Sequence, residues 1–216
     1  MLEVFVILVG SYLIGSIPVA YIVVRKQADV DIRETGSGNA GGFNAYVVTK
    51  SRLTGILVGV LDAGKGFAPV LAVGHFFPNS FLFGCIALLG AILGHNFPIW
   101  TGLKGGRGLS TSAGGMFSLG FSYTVVWCSI WIVTKYLLKR DILVSNVTAI
   151  LTTPLVLWLL PWEWVSLLIA AKVENWTFVF FSCVLSIILL LSHLDAVKDI
   201  WKGPPKERPD ISTPHS

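Results

Sequence analysis

The sequence predicts an all-α, polytopic membrane protein: seven transmembrane helices with a short fourth arm, the N-terminus outside and the C-terminus cytoplasmic. Three observations support that expectation. Of 216 residues, 54% are apolar and only 13% charged, about half the charged share of soluble domains, and the mean hydropathy is +0.74. The net charge of +4 sits in loops beside apolar runs, which suits membrane topology and anionic lipid rather than nucleic acid. Finally, the segment from Leu109 to Leu138 is basic at both ends, with Lys104 and Arg107 before it and Lys135, Lys139 and Arg140 towards and beyond its end.

The first span is expected over Leu2 to Val24, kinked by Pro18, with Gly15 and Ser16 as small packing surface. It lacks a basic leading region, so it reads as a span rather than a cleaved signal. A polar loop from Arg25 to Arg52 follows. Span two, Leu53 to Val73, carries Gly55 and Gly59 at a spacing that allows close helix contact. Span three, Phe81 to Pro98, repeats the device with Gly90 and Gly94.

The segment Leu109 to Leu138, about 45 Å as one helix, is too long for an ordinary span. With cations kept inside, the chain must enter and return. The expectation is a short, partly polar arm over Ser110 to Leu119, a break near Gly120 and a second arm to Leu138. So weakly apolar an arm belongs against protein or a wet cavity. Span six covers Ile142 to Leu160, and Pro161-Trp162-Glu163-Trp164 marks an interface, with the loop to Asn175 lying along it. Span seven runs from Trp176 to Ser192. Residues 1–202 form one membrane domain and 203–216 a disordered cytoplasmic tail. On this topology every Lys and Arg except Lys65 and Lys172 is cytoplasmic or at that edge.

Three polar clusters then share the cytoplasmic side. The stretch Gly102 to Thr111 holds four glycines, Lys104, Arg107, Ser110 and Thr111. Glycines let successive N–H groups converge on one anion, cations add charge, and a helix starting near Leu109 aims its N-terminus there. The same residues also fit an ordinary basic cytoplasmic loop. The first loop runs Asp31-Ile32-Arg33-Glu34-Thr35-Gly36-Ser37-Gly38-Asn39, then Gly41, Gly42, Phe43 and Asn44. Gly36, Gly38 and Gly41 match a dinucleotide fingerprint in letters only, since no βαβ unit surrounds them. The glycine backbone, the Ser37 hydroxyl, the Asn39 and Asn44 amides and the Arg33 guanidinium make an oxyanion site without that fold. His95 and His193 lie near the same face, and His193-Leu194-Asp195 offers a base with a carboxylate nearby.

Asp62 and Lys65, at i and i+3 inside span two, share one helix face and are read as a structural ion pair. Cys85, Cys128 and Cys183 fall in apolar segments with no metal spacing, so they are packing residues. No metal and no cofactor are expected.

The order Gly15-Ser16-Ile17-Pro18, Asp31-Ile32-Arg33, Gly36-Ser37-Gly38-Asn39, Leu61-Asp62 with Lys65-Gly66, Gly94-His95-Asn96-Phe97-Pro98, Lys104-Gly105-Gly106-Arg107-Gly108 and His193 resembles the bacterial acyl-phosphate:glycerol-3-phosphate acyltransferases. The resemblance covers nearly the whole chain and marks it as a divergent member. It implies a multi-pass enzyme of the cell membrane, its site facing the cytoplasm, that transfers a fatty acyl group from acyl phosphate to the 1-hydroxyl of glycerol-3-phosphate. The products would be lysophosphatidic acid and phosphate, and an upstream acyl-phosphate-synthesising enzyme would be a partner. By the same resemblance Arg33, Ser37 and His193 serve catalysis. The resemblance implies that Lys104, Gly105, Gly106, Arg107 and Gly108 bind glycerol-3-phosphate, and Gly36, Gly38, Asn39, Asn44 and His95 are expected to bind substrate from the residue chemistry above. The chain departs from the family pattern at Phe43, Val47, Ser192 and Ala196, where polar or differently charged residues are usual. Those departures are what a non-catalytic or substrate-shifted paralogue binding phosphorylated lipid precursors would show. An anionic-solute transporter would need inverted-repeat symmetry, of which the sequence shows none.

Overall fold

A computed structural model of the chain describes residues 1–78, 80–194 and 197. Ten α-helices run in order among them: α1 Leu2–Gly15, α2 Val19–Ala28, α3 Gly42–Thr49, α4 Arg52–Phe76, α5 Phe81–Asn96, α6 Leu109–Leu119, α7 Phe121–Ile132, α8 Ile142–Leu159, α9 Trp162–Ser166 and α10 Asn175–Leu191. The tail expected to be disordered, and positions Asp195 and Ala196, lie outside the described residues.

Pro18 does more than kink the first span. Without an N–H and with its ring against the preceding turn, it ends one helix and begins another, so the expected Leu2–Val24 span is two helices, α1 and α2. Together they give a 27-residue apolar stretch, Leu2–Ala28, long enough to cross a bilayer. Arg52–Phe76, Phe81–Thr101 and Ile142–Leu159 are also long enough, and Asn175–Leu191 is a shorter apolar helix.

Helix starts follow local chemistry. The Ser51 hydroxyl accepts the Thr54 N–H at 3.2 Å to cap α4, and Ser80 caps α5 through the Phe83 N–H at 3.3 Å. Asp141 Oδ1 accepts two N–H groups at the start of α8, from Leu143 at 2.8 Å and Val144 at 2.9 Å. Each satisfies donors that the first turn leaves orphaned. The long segment does break at Gly120, between α6 and α7. A side chain there would run into the Phe178 ring of α10. Beyond α7 the chain widens into a π-helical turn over Val133–Leu137. Two helices are new: α3 lies inside the stretch expected as loop, and α9 in the interface loop expected before Asn175, elements of eight and five residues too short for a periodic signal.

In lipid, apolar surface alone does not drive helices together, and close backbone approach does much of the packing. Added methyl groups at Gly15 or Gly94 would strike the backbone carbonyls of Ala91 and Tyr12, so α1 and α5 touch backbone to backbone. Gly66 and Gly114 play the same part between α4 and α6, against the carbonyls of Thr111 and Ala63. The fully buried core, including Leu88, Ile92, Met116, Ile150, Phe178, Leu185 and Leu189, knits α5, α6, α8 and α10. Helix α6 is thus lined by protein, as its weak apolarity requires.

Candidate functional site

The first loop is held by two side chains. Asn44, at the start of α3 and buried, donates through Nδ2 to the carbonyls of Ile32 (3.1 Å) and Thr35 (3.0 Å). Its Oδ1 accepts the Ser37 N–H at 3.0 Å. Gly36 has a φ of +65°, and a side chain there would hit the Asn44 amide. Arg33 binds the Asp31 carboxylate through Nε, at 2.9 Å, and Nη2, donates from Nη1 to the Thr101 carbonyl at 2.8 Å and lies over the Tyr21 ring at 5.0 Å. That guanidinium holds the Asp31 carboxyl down to about 2. Arg33 therefore links the first loop to the end of the α5 segment.

The glycine-rich loop packs directly on the first. The Gly106 N–H donates to the His95 carbonyl at 3.1 Å, and the Ala40 N–H donates to the Gly105 carbonyl at 3.3 Å. A Cβ at Gly105 would collide with the His95 carbonyl, and one at Gly106 with the His95 ring. Gly108, at φ +80°, is the residue before α6.

Asp62 and Lys65 pair at 2.8 Å, both buried. Lys65 Nζ also lies 3.0 Å from the Ile17 carbonyl, in the break between α1 and α2, and 3.1 Å from His95 Nδ1. His95 is 3.6 Å from Asp62 Oδ1. The ion pair is thus a three-residue centre that includes a histidine expected to touch substrate.

His193 follows α10 and is fully buried. Its Nδ1 is 2.7 Å from the Leu189 carbonyl. A carbonyl only accepts, so Nδ1 carries the proton and Nε2 holds a lone pair. Nε2 has no hydrogen-bond partner among the described residues. Burial, with the Arg107 charge adding to it against the Leu189 bond, lowers the imidazole to about 4. His193 is neutral at neutral pH.

A cavity of about 330 Å³ brings these parts together. Ser37, Asn39 and Asn44 from the first loop, Arg107 and Gly108 from the second, and His193 all line it, with Asp62 and His95 beneath. Leu109 and Ser110 put the N-terminus of α6 on the same wall, where unpaired N–H groups and the helix dipole favour an anion. A second hollow, of about 320 Å³, is lined by Gly38, Lys104, Gly105, Gly106 and Ser192, and shares Ser37, Asn39 and Arg107 with the first. Arg33 borders neither; it lines a narrower gap beside Lys65, His95 and Lys104. Gly36 also borders neither and shapes the turn. Sequence reasoning missed Asn146 of α8, which lines the first cavity and accepts the Trp131 indole N–H at 2.7 Å. The available signal was an amide inside an apolar span.

The family model described as glycerol-3-phosphate acyltransferase matches residues 5–203. A glycerol-3-phosphate acyltransferase of Mesorhizobium japonicum is 33% identical over 196 residues, 91% of each chain. One of Pelagibacter ubique is 33% identical over 197 residues, 91% of this chain and 93% of that one. Two crystal structures of PlsY (YgiH), an integral membrane glycerol 3-phosphate acyltransferase, share the fold. The glycerol 3-phosphate form superposes with a TM-score of 0.76 at 27% identity, over 93% of this chain and 92% of that one. The lysophosphatidic acid form gives 0.73 at 26% identity, over 94% and 93%. The matched span contains both glycine-rich loops and the His193 end of α10 that meet at the cavity, and by that match this all-helical membrane protein belongs to the glycerol-3-phosphate acyltransferase family.

Proposed function

We propose that this protein transfers a fatty acyl group from acyl phosphate to the 1-hydroxyl of glycerol-3-phosphate, releasing lysophosphatidic acid and phosphate for phospholipid synthesis. The observation that carries the reading is the cavity in which Ser37, Arg107, the N-terminus of α6 and His193 converge, in a chain of this family. Both substrates carry phosphate, and two joined hollows walled by glycine-rich loops suit two such groups.

The hydroxyl oxygen attacks the acyl carbonyl carbon, the bond from that carbon to the phosphate oxygen breaks, and phosphate departs. A histidine held at about 4 is a weaker base than a phosphate group, whose second pKa is near 6. His193 Nε2 accordingly orients the hydroxyl as a hydrogen-bond acceptor, and the proton ends on the departing phosphate. Positioning and anion stabilisation supply the rate, with no covalent enzyme intermediate. Gly36, Gly38, Asn39, Asn44, Lys104, Gly105, Gly106 and Gly108 shape or line the phosphate sites. His95 and the Asp62–Lys65 pair support them from below, and Arg33 serves catalysis by holding the loops together.

The site faces the cytoplasm of the cell membrane, where an acyl-phosphate-synthesising enzyme supplies the donor. Seven passes, with α6 and α7 as the fourth and fifth, place the N-terminus outside and the C-terminus inside. Residues 1–202 act as one domain. The orientation and the pass count rest on the charge distribution along the chain.

The test is acyl transfer by the purified protein in lipid, from palmitoyl phosphate to labelled glycerol-3-phosphate. Labelled lysophosphatidic acid is expected, and its loss in Ser37→Ala and His193→Ala. No product from correctly folded wild-type protein overturns the reading.

A further inference from the structure

Among the amides at the cavity, Asn44 is consumed by its own loop: both ends are occupied by the backbone of Ile32, Thr35 and Ser37. Asn146 is differently placed. Its Oδ1 accepts the Trp131 indole N–H at 2.7 Å, and its Nδ2 has no hydrogen-bond partner among the described residues. An indole is only a donor, so the flipped amide would set N–H against N–H. One orientation is therefore enforced. The indole is itself fixed: it stacks on Trp127, centroids 6.5 Å apart at 17°, and meets Tyr136 edge-on at 6.1 Å and 81°. Three aromatic rings of the α7 segment thus decide which end of one amide on α8 is left over.

What is left over is a donor, at a cavity where Arg107 and the α6 N-terminus favour an anion and the one carboxylate of the lining, Asp62, is paired with Lys65. We propose that Asn146 donates through Nδ2 to a phosphate oxygen of a bound substrate, and that Trp131 is the positioning residue that enforces this. The proposal rests on the phosphate-substrate reading above and adds to it a recognition residue and its support. The phosphate is that of glycerol-3-phosphate or of the acyl donor, and the kinetics distinguish them.

The experiment measures KM and kcat separately for glycerol-3-phosphate and palmitoyl phosphate, on full-length protein in lipid. The variants are Asn146→Ala, Asn146→Asp, Trp131→Phe and the double Trp131→Phe/Asn146→Ala. Asn146→Ala is expected to raise one of the two KM values about tenfold, as befits a lost hydrogen bond to a charged group, and kcat less than threefold. The KM that moves identifies the phosphate. Asn146→Asp, which sets a carboxylate against the anion, raises it further. Trp131→Phe keeps a ring between Trp127 and Tyr136 and raises the same KM by a smaller factor. In the Asn146→Ala background it adds nothing, whereas an indole that merely packs would act equally in both backgrounds.

Both KM values within twofold of wild type in Asn146→Ala overturn the assignment, and a Trp131→Phe effect that persists in the double variant overturns the positioning role. If the wild type makes no lysophosphatidic acid, the acyl-transfer reading fails on its own account, and calorimetric titration with glycerol-3-phosphate and with inorganic phosphate tests the pair. Binding weakened in Asn146→Asp then upholds the contact. Unchanged binding, or none by the wild type, overturns it.

Discussion

The Ser192 hydroxyl donates to the Arg107 carbonyl at 2.8 Å, fastening the glycine-rich loop to the end of α10, one residue before His193. It also lies 2.7 Å from the Leu189 carbonyl. A single hydroxyl therefore stands between the backbone of a cationic loop residue and the turn that carries His193. Ser192→Ala removes a bond worth about 1 kcal/mol. The expected result is a KM for glycerol-3-phosphate raised a few-fold with a melting temperature lowered by about 2–4 °C, read by steady-state kinetics and thermal unfolding in detergent.

The Asp62–Lys65–His95 centre is buried, so breaking it from one side is severe. Lys65→Met leaves the Asp62 carboxylate without its cation and is expected to destabilise by about 3–5 kcal/mol. The double Asp62→Asn/Lys65→Met variant removes both charges and should recover most of that loss. Thermal unfolding of the three proteins checks it; a double variant no more stable than Lys65→Met refutes the ion-pair account.

His193 supplies a pH signature. Its folded value of about 4 lies below the ordinary histidine value near 6.5, so the unfolded chain binds the proton more readily. The corresponding stability is complete above about pH 6.5 and falls away as pH drops towards about 4, by on the order of 3 kcal/mol. Thermal unfolding from pH 7.5 to pH 4 should show a steeper decline in wild type than in His193→Gln. Parallel curves would mean that His193 is not held neutral by its surroundings.

Two neighbouring glycines of α4 should answer oppositely to alanine. At Gly66 a methyl strikes the Thr111 carbonyl of α6, whereas at Gly64 nothing lies within 4 Å. Gly66→Ala is expected to cost about 1–3 kcal/mol by forcing α4 from α6, and Gly64→Ala to be tolerated. Expression and melting temperature distinguish them.

How much of this was readable from the chain depends on range. The division at Gly120 could be read because it follows from length and from cations at both ends of one segment. The loops could be read because glycines and cations crowd into a few positions. Helix α3 could not, since eight residues opening on Gly42 and Asn44 look like more loop. Nor could the third member of the buried centre: Asp62 and Lys65 announce each other at helical spacing, but His95 reaches them only through the packing of α5 on α4. Arg33 has the residue type of an anion ligand, and only the placement of Asp31 and Thr101 shows its hydrogen bonds spent on the scaffold. Asn146 passed unnoticed because its meaning lies in Trp131, on another helix.

The break at Pro18 has a consequence for how the cavity tells charges apart. An ammonium group has three N–H bonds, and in bulk solvent each would find water. Here the Ile17 carbonyl at the break, the Asp62 carboxylate and the His95 ring stand at 3.0, 2.8 and 3.1 Å from Lys65 Nζ. The protein has rebuilt a hydration shell out of its own atoms. Lys65 is accordingly ringed by the protein's own groups, in the narrow gap it shares with Arg33, His95 and Lys104. In the neighbouring cavity a bound phosphate meets the Arg107 charge and the start of α6, whereas the Asp62 carboxylate in the same lining repels it.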